Sequence, residues 1–217
     1  MSLLFLTTLP GIIYLIILRE NLGINFNIEK ILLFFIFGLI SCFFILPIEI
    51  SIFKAFSIKQ DQFFLRSLIF SFVEEMFQFL SLILILKFYN NFKIKNIVIA
   101  GVTIGVGFLI IENHLYVYEK TIDLGPDIAF LRSITTSFMH FFNSIIMCGL
   151  FSIIYLKKKT ILTFSSIVIL ILVVFNHAIF NYVQYIDLFI LIIPILIFQF
   201  ISSIYVVSMI KKYDANN

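Results

Sequence analysis

Two adjacent acids, Glu74 and Glu75, stand inside an apolar run that extends from Phe63 to Leu86. Three further apolar runs carry matching polar groups: Glu112 with Asn113, His140, and His177 with Asn181. An ionisable side chain at membrane depth costs several kcal/mol unless it faces a protein interior or water, so each of these positions is a functional-site candidate. Carboxylates, imidazoles and amides hold, donate and accept protons. Four segments equipped in this way are hard to explain as packing alone.

The spacing sharpens the point. Ser71, Glu74 or Glu75, Gln78 and Ser81 fall at helical intervals, as do Arg132, Thr136, His140 and Asn143 or Ser144, and His177 stands four residues before Asn181. Each helix therefore has one polar stripe. Gly101 and Gly105 form a GxxxG on the Glu112 segment, which lets a neighbouring backbone come close.

The elements that must position these groups follow from composition. With 62% hydrophobic and 12% charged residues, and a mean hydropathy of +1.14, the chain cannot form a water-facing globule of its size. It reads as an all-α polytopic transmembrane bundle, residues 1–217 forming one integral membrane domain. Stretches of about 20 apolar residues give seven spans, at 3–18, 31–53, 63–86, 96–117, 131–156, 161–182 and 187–210. The first is short and contains Pro10 and Gly11. Lacking the basic start and small-residue cleavage site of a signal peptide, it is expected to be retained. Cys42 and Cys148 fall inside spans and are expected to be buried small hydrophobes. The 29 Phe and absent Trp leave Tyr116, Tyr118, Tyr182 and Tyr185 as interfacial aromatics. The net charge of +3 belongs to loops and gives no argument for a nucleic-acid partner.

Lys and Arg counts orient the bundle. Ten lie in loops 19–30, 87–95 and 157–159 and the tail, among them the Lys157–Lys159 run, against five on the opposite side: Lys54, Lys59, Arg66, Lys120 and Arg132. The opposite side also carries an acidic 118–131 loop with Glu119, Asp123 and Asp127. The richer side should be cytoplasmic, which puts the N-terminus outside and the C-terminus inside the cell membrane. Glu74 then lies 8 residues from Arg66, Glu112 lies 7 from Glu119, His140 lies 8 from Arg132 and His177 lies 10 from Asp187. At about 1.5 Å of rise per residue, all four sit roughly 10–15 Å below the outer boundary, in one layer.

In this order, Glu74-Glu75-Met76-Phe77-Gln78, Phe108-x-x-x-Glu112-Asn113, His140 in a helix led by Arg132, and His177-x-x-x-Asn181 resemble the motifs of the PrsW family of intramembrane proteases. That family is grouped with the CAAX prenyl endopeptidases and bacteriocin-processing enzymes, and the resemblance covers about 63–182. The first motif usually ends in a basic residue where this chain has Gln78, so a charge partner for the carboxylates would come from elsewhere, Arg66 and Arg132 being candidates. Glu112, where the CAAX branch has His, points to the PrsW branch.

The resemblance implies an intramembrane endopeptidase, with regulatory membrane proteins such as anti-sigma factors as the suggested substrates. The layer near the outer face, with almost wholly apolar cytoplasmic halves to its helices, leads us to expect a membrane-anchored protein or peptide cut near the outer leaflet. Peptide hydrolysis needs an activated water, a base for its proton and a donor for the oxyanion. On that reading His140, His177 and Glu112 would hold a Zn²⁺, Glu75 would be the base with Glu74 beside it, and Asn181 would stabilise the oxyanion or orient a neighbour. No HExxH motif is present, and a metal-free glutamate mechanism is the other form this chemistry takes. Two further readings use the same residues: a proton-coupled transporter, since a buried acid pair can carry a proton, and a non-catalytic scaffold of the same fold. Gln78 and Asn143 read as interhelical hydrogen-bonders, and His114 as an interfacial histidine.

Overall fold

The computed structural model describes residues 3–23, 27–88, 93–124, 126–158, 160, 162–186 and 188–215. They form seven α-helices: α1 Leu3–Leu22, α2 Ile28–Ala55, α3 Phe63–Phe88, α4 Ile94–Leu124, α5 Pro126–Lys158, α6 Phe164–Tyr185 and α7 Ile192–Ala215. A single 3₁₀ turn, Phe189–Leu191, precedes α7, and no strand occurs among the described residues. Six helices, α2 to α7, are long and apolar enough to cross a membrane by length and composition. The expected polytopic helical bundle is therefore the observed one. The seventh helix is α1, which continues through Pro10.

Two boundaries depart from expectation. The 118–131 segment, anticipated as a loop, is almost wholly helical, because α4 runs on to Leu124 and α5 begins at Pro126. Hydropathy marks where a membrane would end rather than where a helix ends. The first strong breaker in the sequence after Glu112 is the Gly125-Pro126 pair, and α4 ends just before it. Likewise α7 starts at Ile192 rather than at 187, with Pro194 in its first turn, where a missing N–H leaves no helical bond unmade. Local chemistry fixes other ends: Asn27 Oδ1 accepts from the Glu29 amide at the start of α2, and Thr163 Oγ1 from the Ser166 amide at the start of α6.

Helix α4 is the centre of the bundle. Of its most apolar 18-residue window 83% is buried, against 22% for α7, so α4 is a helix enclosed by protein and α7 a peripheral one. It packs against α1, α2, α3 and α5, while α3 packs mainly on α6, and α7 mainly on α5. Close approach comes from small residues. A Cβ at Gly101 would run into Cys148 Sγ, and one at Gly105 into Ser144 Oγ and Gln78, so the GxxxG face admits α5 and α3 together. Tighter still is the α2–α4 crossing. A Cβ at Gly38 would strike the Ile104 carbonyl, and one at Gly107 the Phe35 carbonyl, so here backbone lies on backbone.

Since neither carbonyl can rotate away, Gly107→Ala or Gly38→Ala must push α2 off α4. We expect a loss of about 1–3 kcal/mol, the usual range for overpacking, measured as a lower thermal midpoint in detergent. Midpoints for Gly38→Ala and Gly107→Ala equal to wild type would refute the backbone contact.

Candidate active site

Four helices deliver side chains to one buried point. Successive residues on a helix are turned about 100° apart, so Glu74 and Glu75 cannot face the same way. They meet different nitrogens of one ring. His177 Nδ1 lies 2.9 Å from Glu75 Oε1, and His177 Nε2 lies 3.6 Å from Glu74 Oε2. His140 stands across from it, the ring centroids 4.7 Å apart and nearly perpendicular. His140 Nε2 is 2.9 Å from Glu112 Oε2 and 3.9 Å from Glu74 Oε2.

Burial grades the set. His177, Glu75 and His140 are buried, Glu74 is nearly so, and the Glu112 side chain keeps 23% of its surface. Glu112 is thus the acid on the open side. Neighbours hold it there: Asn113 donates from Nδ2 to Ser137 Oγ (3.0 Å) and the Ser133 carbonyl (3.3 Å) on α5, one turn or two before His140. Phe108, one turn earlier on α4, packs edge-on against the His140 ring at 5.8 Å. Asn181, one turn after His177, donates to Ser71 Oγ on α3 at 3.4 Å. A cavity of about 10 Å³, lined in part by Ser41, Glu74, Glu75, Gln78 and His140, adjoins the acids and has room for about one water.

Other residues singled out in the sequence take supporting places. Gln78 Nε2 donates to Ser144 Oγ and to the Gly101 carbonyl, tying α3 to α5 and α4. The Arg66 guanidinium lies over the Phe53 ring at 4.4 Å. Cys42 and Cys148 are free and buried. Tyr182 and Tyr185 pack on Phe64 and Phe63 at the α3–α6 end. The side chains of Tyr116, Tyr118, Glu119, Lys120, Asp123, Asp127 and Arg132, and residue Asp187, lie outside the described residues. One acid was overlooked in the sequence. Glu49 on α2 is 1% exposed, its Oε1 has no hydrogen-bond partner, and it is close enough to Glu112 to feel its charge. The criterion that picked out Glu74 applies equally to this lone acid in the 31–53 run.

Glu74, His140 and His177 can each offer one ligand atom, all within 4.8 Å of one another. His177 Nε2 is fully buried with no hydrogen-bond partner, and it faces Glu74. Two imidazole nitrogens and a carboxylate oxygen around an orphaned acceptor are a donor set that suits a zinc-type divalent ion, with a position left over for water. The sequence reading had Glu112 as the carboxylate of this set. The carboxylate oxygen that faces both imidazoles is Glu74 Oε2, while Glu112 Oε2 faces His140 Nε2.

A family model described as PrsW family intramembrane metalloprotease matches residues 27–210. No curated protein and no solved structure matches the chain.

A divalent ion held by Glu74, His140 and His177 stabilises the folded protein by mass action, by about 2.7 kcal/mol at a hundredfold excess over Kd. Buffered Zn²⁺ should raise the thermal midpoint of the wild type and leave His140→Ala and His177→Ala unmoved. Elemental analysis should find the ion only in the wild type. Because all three ligands must be unprotonated, the stabilisation shrinks as pH falls. A wild-type protein that binds no divalent ion would sink the assignment.

Proposed function

The chain belongs to the PrsW family of intramembrane metalloproteases, and from that premise we propose an endopeptidase that cuts a membrane-anchored protein or peptide near the outer leaflet. The observation that carries this reading is the convergence of Glu74, His140 and His177 from three helices, with donor atoms within 4.8 Å. Supporting the outer side is the end of the bundle involved. His177 lies about two turns before Tyr185, where α6 ends, and Glu74 about three turns after Phe63, where α3 begins. The Lys and Arg balance of ten against five makes that the external end, with the N-terminus outside and the C-terminus in the cytoplasm.

A Zn²⁺ held by Glu74, His140 and His177 would supply a Lewis acid for the scissile carbonyl and lower the pKa of water. The chain's own groups do the remaining work. Glu75 Oε1 accepts from His177 Nδ1–H, which leaves the Nε2 lone pair facing Glu74. Glu75 was the base in the sequence reading, but this oxygen is already engaged by His177 and, at 3.4 Å, by Asn143 Nδ2. We therefore assign the base to Glu112. Its carboxylate is the most open of the three on the site, and it can take the proton of the attacking water at Oε1, the oxygen not set against His140 Nε2, and return it to the departing amine. Asn181 Nδ2, on the His177 stripe, is the donor available to the oxyanion.

Three substitutions separate these roles in proteoliposomes carrying a membrane-anchored reporter peptide. Glu112→Gln should lower kcat by about 10²–10⁴-fold while binding of Zn²⁺ persists. Glu74→Gln should lose both. Glu75→Gln, which keeps an acceptor for His177, should lower kcat by only about 10–100-fold. Retained cleavage in Glu112→Gln would overturn the base assignment. If the wild type cleaves no membrane-anchored peptide but conducts protons, and Glu75→Gln stops the flux, the protease reading itself fails.

Orientation has its own test. Both native cysteines are buried, so a cysteine introduced at the exposed Lys59, between α2 and α3, or at the exposed Lys158, at the end of α5, reports on its side with little background. We expect a membrane-impermeant thiol reagent to label position 59, and not position 158, in intact cells.

A further inference from the structure

We infer that Gln199 on α7, with Asn176 on α6, fixes through Asn143 the Glu75–His177 contact, and that the peripheral helix α7 is thereby a positioning part of the active site. The observation is a run of amides, Asn143 and Gln199 buried and Asn176 half-buried, that ends on the Glu75–His177 pair. Asn143, fully buried on α5, donates from Nδ2 to Glu75 Oε1 at 3.4 Å. Its Oδ1 accepts from Asn176 Nδ2 at 2.8 Å and from Gln199 Nε2 at 3.4 Å. Gln199 is 0% exposed on a helix whose apolar window is only 22% buried, so this amide is turned inward where most of its helix faces out.

The chemistry runs one way along the chain. Two donors on Asn143 Oδ1 decide which end of that amide is oxygen, and hence that its nitrogen points at Glu75. Glu75 Oε1, receiving a donor from Asn143, then receives a second from His177 Nδ1, and the ring keeps the tautomer with its bare Nε2 facing Glu74. Remove the donors on Oδ1, and the Asn143 amide is no longer held, so its Nδ2–H can swing away and leave Glu75 Oε1 with one fewer donor to fix it against His177. Groups behind a working histidine hold its ring and tautomer, and their loss typically lowers activity or metal affinity by 10–100-fold. Gln199 alone of these residues lies beyond the 63–182 stretch, on the last helix.

The inference rests on the proposed activity for its kinetic arm only. Three histidines make the other arm tractable: ¹⁵N-histidine labelling gives resonances for His114, His140 and His177, assigned by single substitutions, in purified full-length protein without added substrate. Wild type should show His177 as one tautomer protonated at Nδ1. In Gln199→Leu and Asn176→Leu that signal should move toward a mixture of tautomers, while the His114 signal stays in place as the control for folding. In the reporter assay kcat should fall about tenfold or more with KM little changed. An unchanged His177 signal in both variants overturns the inference even if cleavage is slower. Should Gln199→Leu not fold, Asn176→Leu carries the same reading, and a fold lost in both, with His114 moving as well, marks the amides as structural and also overturns it. A correct His177 response in a protein that cleaves nothing would leave the positioning chain standing and remove the protease.

Discussion

Desolvation of the acids where α3, α4, α5 and α6 meet constrains everything else in the bundle, because a carboxylate withdrawn from water must be matched by a partner in good geometry or be stranded at a cost of several kcal/mol. The chain answers with imidazoles. His177 takes one acid on each ring nitrogen, and His140 stands between Glu112 and Glu74. No member of this group could be kept by its own helix. The acids come from α3 and α4 and the bases from α5 and α6, so the chemistry exists only when all four helices stand at the right rotation and depth.

Holding four helices in register is a packing problem, and lipid offers no hydrophobic drive to solve it. The solution lies in α4. Gly107 and Gly38 bring α2 backbone onto α4 backbone, and Gly101 and Gly105 admit α5 and the Gln78 amide of α3. These contacts are short because side chains are missing. Asn113 then fixes the rotation of α4 against α5 beside Glu112, and Gln78 fixes α3 against α5 beside Glu75. Small residues set the distances, and amides set the angles.

Much of this was readable in the sequence for one reason: in an apolar span any acid, imidazole or amide is an exception. That is why Glu74, His140 and His177 stood out, and why four polar stripes suggested one layer. Periodicity could not say which of two neighbouring acids turns toward which ring nitrogen, since that depends on a helix rotation set by distant glycines. Glu49 escaped as a lone acid without a resembling motif. Asn143 was read as an interhelical hydrogen-bonder, which it is, but the identity of its partners lies on α3, α6 and α7 and no spacing within α5 encodes them. The 118–131 segment was misread because its charges mark the membrane edge, whereas the backbone stays helical until Gly125-Pro126.

The length of that helical pair bears on how its backbone meets the membrane. At 31 and 33 residues, α4 and α5 are about 46 and 50 Å long, against a hydrocarbon core of about 30 Å. Both helices are longer than that core is thick, so each either tilts or stands beyond it, and the same internal hydrogen bonds that satisfy the backbone in lipid carry the pair on through the headgroup region.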